Sequence, residues 1–118
     1  MEREVRWTEM CLQDMEDTFL FYDVRNGNSR YSTSLYRQIL SCVERVAQFP
    51  CLGHLTEYPN VRYVVVEPKY SVFYCFDEAS LTVLLLWDNR RNPVRLSYLL
   101  QQVSPMNVSE DIPSAEQK

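Results

Sequence analysis

The chain has 118 residues, 46% of them apolar and 13% aromatic, which is enough for one domain with a modest core and too much for a disordered chain. Twelve Lys and Arg against 16 Asp and Glu leave a net charge of −4 and a pI near 5.0, which excludes the overall basic footprint of a general nucleic-acid binder; any anion site must be local. Charged residues crowd the first 20 positions and no run of about 18 apolar residues occurs, so neither a secretory leader nor a membrane span is read, and the protein is expected in the cytoplasm.

Residues 4 to 8, EVRWT, set Val5 and Trp7 on one side and Arg6 on the other, which predicts an opening strand. Thr8 stands where a helix cap belongs, and Glu9 follows in the first turn, where a negative charge suits the helix dipole. Cys11, Met15, Phe19 and Tyr22 recur at helical spacing with Leu12 beside them, while Gln13, Asp14, Glu16 and Asp17 form a polar, solvated face; the helix is expected to end near Arg25. Asn26-Gly27-Asn28 is a turn by its chemistry. Leu35, Ile39, Cys42, Val43 and Val46 then predict a second helix, stopped by Pro50, and the short link makes the two an antiparallel hairpin.

Residues 50 to 60, PCLGHLTEYPN, lack periodicity and read as the longest internal connection. Three strands follow at 61–66, 70–76 and 81–88, separated by links short enough to force antiparallel neighbours. Tyr70, Val72, Tyr74 and Phe76 share one face of the middle strand. In the first strand Tyr63 and Val65 oppose Arg62, Val64 and Val66. The expectation is that the Tyr and Val rows meet the hairpin while the side with Arg62 and Ser71 stays open. Alternation of direction brings the end of the last strand, Asp88 to Arg91, beside Lys69 and Ser71, so Lys69, Arg90 and Arg91 gather at one rim. Pro93 can open a short final helix whose Val94, Leu96, Leu99 and Leu100 cover part of the sheet, and residues 101–118, polar and acidic at their end, read as a disordered tail outside a single domain over 1–100.

Cys11, Cys42, Cys51 and Cys75 are scattered without a Cys-x-x-Cys pair, and His54 is the one possible co-ligand. Free thiols are expected, with no metal and no cofactor. Asn107-Val108-Ser109 matches a glycosylation pattern that has no meaning without a secretory route.

The order of these pieces carries a resemblance. RWTEMCLQDMEDTFLFY at the start, VERVAQFPCLG at 43–53, VRYVVVEPKYSVFY at 61–74 and LWDNRRNP at 86–93 together resemble the RelE/ParE superfamily of bacterial type II toxin–antitoxin toxins, over residues 4 to 98. The resemblance implies an α+β fold: an N-terminal strand, an antiparallel helical hairpin packed on a mainly antiparallel four-stranded sheet, and a short C-terminal helix. It also implies a cognate antitoxin as partner and one of two modes of growth inhibition. RelE-like members cut messenger RNA on the ribosome; ParE-like members bind DNA gyrase.

Carried over by position, the family's cations on the meander fall at Arg62, which keeps its charge, and at Val64 and Ser71, which do not. The arginine after the last strand is Arg91, or Arg90 if the register slips by one. The tyrosine of the final helix is Tyr98, although a strict count lands on Ser97. Arg62, Arg90, Arg91 and Tyr98 are thus the candidate catalytic residues, with Lys69 and Ser71 as candidate target- or anion-binding residues. The missing cations and the acidic pI lean toward a ParE-like, protein-binding mode, because a cleaved phosphate needs several positioned donors. A ribosome-dependent, metal-independent endoribonuclease and an inactive relative kept as a binding module are the alternatives. Val64, Val66, Phe73 and Leu84 or Leu86 would offer the antitoxin an apolar surface on the open side of the sheet.

Overall fold

The computed structural model describes residues 3–103. Strand β1 (Glu4–Trp7) leads into helices α1 (Glu9–Asn26) and α2 (Arg30–Gln48), then strands β2 (His54–Leu55), β3 (Arg62–Val66), β4 (Tyr70–Phe76) and β5 (Ser80–Asp88), and finally helix α3 (Pro93–Val103). The five strands run β1-β5-β4-β3-β2 across one sheet, with β1 parallel to β5 and the other pairings antiparallel. The strand beyond the four expected is β2, two residues long, inside the segment that shows no periodicity. Helix α3 continues through Val103 where a tail was expected from residue 101; the rest of that tail, 104–118, lies outside the described residues.

The helices begin and end where side-chain chemistry directs. The Thr8 hydroxyl accepts from the Cys11 amide at 3.0 Å, which satisfies an otherwise orphaned donor of the first turn. Gly27, at φ 73°, closes α1 in the left-handed conformation that glycine adopts without strain. The hairpin is tied at its turn by a 2.5 Å hydrogen bond from the Ser32 hydroxyl to the Asp23 carboxylate.

Two apolar layers hold the fold, one on each face of the sheet. Cys11, Met15 and Tyr22 of α1 and Leu35, Ile39 and Val43 of α2 pack on Val66, Tyr70, Val72 and Tyr74. On the back face Phe73, Leu84, Leu85 and Trp87 pack against Leu96, Leu99 and Leu100 of α3, while Val94 is exposed. Burying each such aliphatic side chain contributes about 1.5–3 kcal/mol, so both layers are structural.

The register corrects the expected faces. The three-residue turn Glu67–Lys69, with Glu67 at φ 50°, sets Val66 opposite Tyr70, Val64 opposite Val72 and Arg62 opposite Tyr74. Arg62, Val64 and Val66 therefore face the hairpin, and Tyr63 belongs with Ser71 and Phe73 on the back. A bulge at Leu84 changes the alternation of β5, placing Val83 and Leu86 on the hairpin side and Leu84, Leu85 and Trp87 on the other. The surface expected for an antitoxin is thus divided between the two cores. The large apolar residues left open on α1 are Leu12, Leu20, Phe21 and Val24.

Candidate functional site

The rim where β5 ends beside the β3–β4 turn carries the charge. The Asn89 amide donates to the Lys69 carbonyl at 2.7 Å, and its side chain accepts from the Ser71 hydroxyl at 2.8 Å while donating to the Pro68 carbonyl at 3.1 Å. Ser71 is therefore buried and spent on holding the rim; no histidine stands beside it as a nucleophile would need. The expected trio of cations does assemble here, yet the three are in different states.

Arg90 grips the Asp88 carboxylate with both ends of its fork, at 2.9 and 2.8 Å. That grip holds the Asp88 carboxyl below the usual carboxylate range against an opposing push from burial. Lys69 lies over the rings of Tyr22 and Tyr31, 5.9 and 5.4 Å from their centroids. Tyr22 accepts from the Tyr70 hydroxyl at 2.9 Å and from Arg90 at 3.4 Å; burial pushes its phenol up, but these hydrogen bonds and the charges of Lys69 and Arg90 outweigh it, and the net shift is downward. Arg91 is the exception. Its guanidinium lies 5.5 Å from the Trp87 ring centroid and forms no ion pair among the described residues.

Arg91 stands on the ridge between two grooves. One, about 360 Å³, lies between α1 and the end of β5 and is lined by Asp14, Phe21, Tyr22, Asp88, Arg90 and Arg91. The other, about 410 Å³, crosses the back face between Tyr58, Tyr63, Phe73, Trp87 and one side of α3. Aromatic walls beside one uncommitted guanidinium suit a carboxylate or phosphate presented next to apolar surface. They do not make a cradle of several cations.

Arg62 takes no part in this site. It lies at the opposite end of the sheet, and its Nη1 donates to the carbonyls of Gly53 at 3.0 Å and Cys51 at 3.3 Å. Its work is to fasten the corner after α2, where the Tyr74 hydroxyl donates to the Pro50 carbonyl at 2.6 Å and accepts from the Gly53 amide at 3.0 Å. A Cβ on Gly53 would overlap that hydroxyl, which is why glycine stands there. Tyr98 is 56% exposed and does not line the back groove, whereas Ser97 does. The tyrosine present at that wall is Tyr58, whose hydroxyl donates to the Ser97 carbonyl at 3.3 Å.

Sequence reasoning missed both Tyr58 and Asp14. Tyr58 sits in an aperiodic segment. Helical periodicity places Asp14 on a solvated face, but β1 stops opposite Val83 and leaves the edge of β5 beyond it without a strand. Side chains replace the strand: the Thr8 hydroxyl donates to the Leu84 carbonyl at 2.6 Å and the Asp14 carboxylate accepts from the Leu86 amide at 3.3 Å. Burial raises the Asp14 carboxyl to about 6, with Asp17 adding to the rise and the Leu86 amide and Arg91 opposing it. Among the described residues no three His, Cys, Asp or Glu side chains converge as a metal site would need.

A sheet with a helical hairpin on one face and a short terminal helix on the other is a fold that this chain shares with a solved structure. Among solved structures the chain is similar to a chain of the chromosomal ParDE TA system from P. aeruginosa, with 19% identity over 74% of this chain and 96% of that one and a TM-score of 0.64. At that identity the likeness is one of fold. No protein-family model and no curated protein matches the sequence.

Proposed function

We propose that the chain is the toxin of a type II toxin–antitoxin module, that it is neutralised by a cognate antitoxin, and that it inhibits growth by binding a protein target in the cytoplasm, with DNA gyrase the first candidate. The fold likeness to a ParDE chain supports the module. The observation that carries the mode is that, of the arginines expected to be catalytic, Arg91 alone reaches the back groove uncommitted. Arg90 is neutralised by Asp88, Arg62 is fastened to loop carbonyls at the far end, and Ser71 stands where an arginine would be required.

Cleaving RNA through the 2′-hydroxyl builds charge on the phosphate, and losing one positioned donor typically costs about 2.7–4 kcal/mol of transition-state stabilisation. A site without two of them is poor for that reaction and remains serviceable for recognition. The antitoxin has the apolar flank of α1, with Leu20, Phe21 and Val24 exposed, available for docking. No helix of the described residues is long and apolar enough to cross a membrane.

The test is induction in a growing bacterium without the antitoxin, following protein synthesis and DNA-damage signalling over the first minutes. A damage response with translation intact is expected. An early translation arrest abolished by Arg91→Ala overturns the protein-target mode in favour of the ribonuclease, and no growth defect overturns the toxin reading itself.

A further inference from the structure

Helix α3 opens at the charged rim, beside Arg91, with Arg95 one turn on and no acidic residue in its first turn. The positive end of the helix dipole and the Arg91 guanidinium, which has no ion partner among the described residues, thus lie at one end of the back groove. Glu57 lies on the loop wall of the same groove, so an anionic occupant is admitted at the Arg91 end and repelled along that wall. The sequence beyond α3 has the matching pattern, because Met106 and Val108 precede Glu110 and Asp111.

Reach and order agree. From Pro93 to Val103 the helix rises about 15 Å, while the stretch from Ser104 to Glu110 can span roughly 23 Å when extended. A chain that turned back along α3 would lay Met106 and Val108 over Trp87, Tyr63 and Leu100 and deliver Glu110 and Asp111 to Arg91.

We propose that the segment 104–118 is an intramolecular occupant of the back groove, with the Glu110–Asp111 pair on Arg91, and that it competes there with whatever the groove binds. Attachment to α3 gives the segment an effective concentration on the order of millimolar, so a contact too weak to form between separate molecules is populated within one chain. Because the attraction is ionic and exposed, it weakens with salt over a Debye length of about 8 Å at physiological ionic strength. The competitive consequence rests on the proposed function; the contact itself does not.

The test uses the full-length chain and its backbone amide NMR spectrum. Glu110→Lys with Asp111→Lys is expected to shift the resonances of Ser71, Asn89 and Ser97, added salt to move the wild-type resonances along the same direction, and Arg91→Glu in the reversed background to return them toward wild-type positions. Far-ultraviolet circular dichroism of each variant checks that the domain stays folded, so the experiment stays readable. If the groove resonances are unchanged by the charge reversal, or respond only when a second protein is added, the segment is not the occupant. A protein that shows the shifts but never inhibits growth leaves the contact standing and removes the toxin reading alone.

Discussion

Arg62 and Arg91 both sit at strand ends near the sheet rim, and the difference between their surroundings decides which can serve a partner. Arg62 is on the hairpin face, its Nη1 committed to the Cys51 and Gly53 carbonyls. Arg91 is at the opposite end of the sheet, over the Trp87 ring, with no carboxylate at ion-pair distance among the described residues. A cation already satisfied by backbone acceptors contributes to stability and has little left to offer a ligand. One held in place by an aromatic face keeps its donors for something else.

The most damaging way to break this contrast is to remove the platform. Trp87 is 4% exposed and central to the back layer, so Trp87→Ala should cost about 3–5 kcal/mol in urea unfolding. Next comes the corner that Arg62 serves. Tyr74→Phe strands the Gly53 amide and the Pro50 carbonyl and is expected to cost about 1–3 kcal/mol. If it proves neutral, the corner is not what fixes the chain after α2. The arginines should then separate by assay: Arg62→Ala loses roughly 1 kcal/mol of stability and keeps growth inhibition, while Arg91→Ala stays within about 0.5 kcal/mol of the parent and loses inhibition. The opposite pattern in paired unfolding and growth measurements would reassign the site to the Arg62 end.

Why one arginine is legible in the sequence and the other is misplaced comes down to strand chemistry. Element order is readable because helical and strand periodicities differ, and the rim is readable because short links force antiparallel neighbours, which fixes where β5 must end. Arg62 falls on the wrong face in a sequence reading because both rows of β3 are apolar enough to be buried, so composition does not choose between them. The information was in the three-residue turn, which sets Val66 opposite Tyr70 and hence every second residue back to Arg62 on the Tyr70 face. Two features had no such signal. The Leu84 bulge is a local irregularity in a uniformly apolar run, and β2 is too short to show a period.

Asp14 gives the finest test, because the edge-capping description predicts a pH-dependent contribution to stability and the solvated one predicts none. Its folded value is raised from 3.8 to about 6, so between those limits the folded protein holds a proton that the unfolded chain has released. Stability drawn from this group therefore falls as pH rises through that window. Asp77 and Asp88, whose folded values are lowered, act in the other sense: their stabilisation is present above the ordinary carboxylate range and is lost as pH falls through the folded value. Asp14→Asn keeps an oxygen for the Leu86 amide and removes the charge. Its urea midpoint should gain on the parent's as pH goes from 4 to 7, by a modest amount because the site is partly open to water. Parallel profiles for the two proteins would mean that Asp14 is solvated after all, and that the edge of β5 beyond β1 is closed by Thr8 alone.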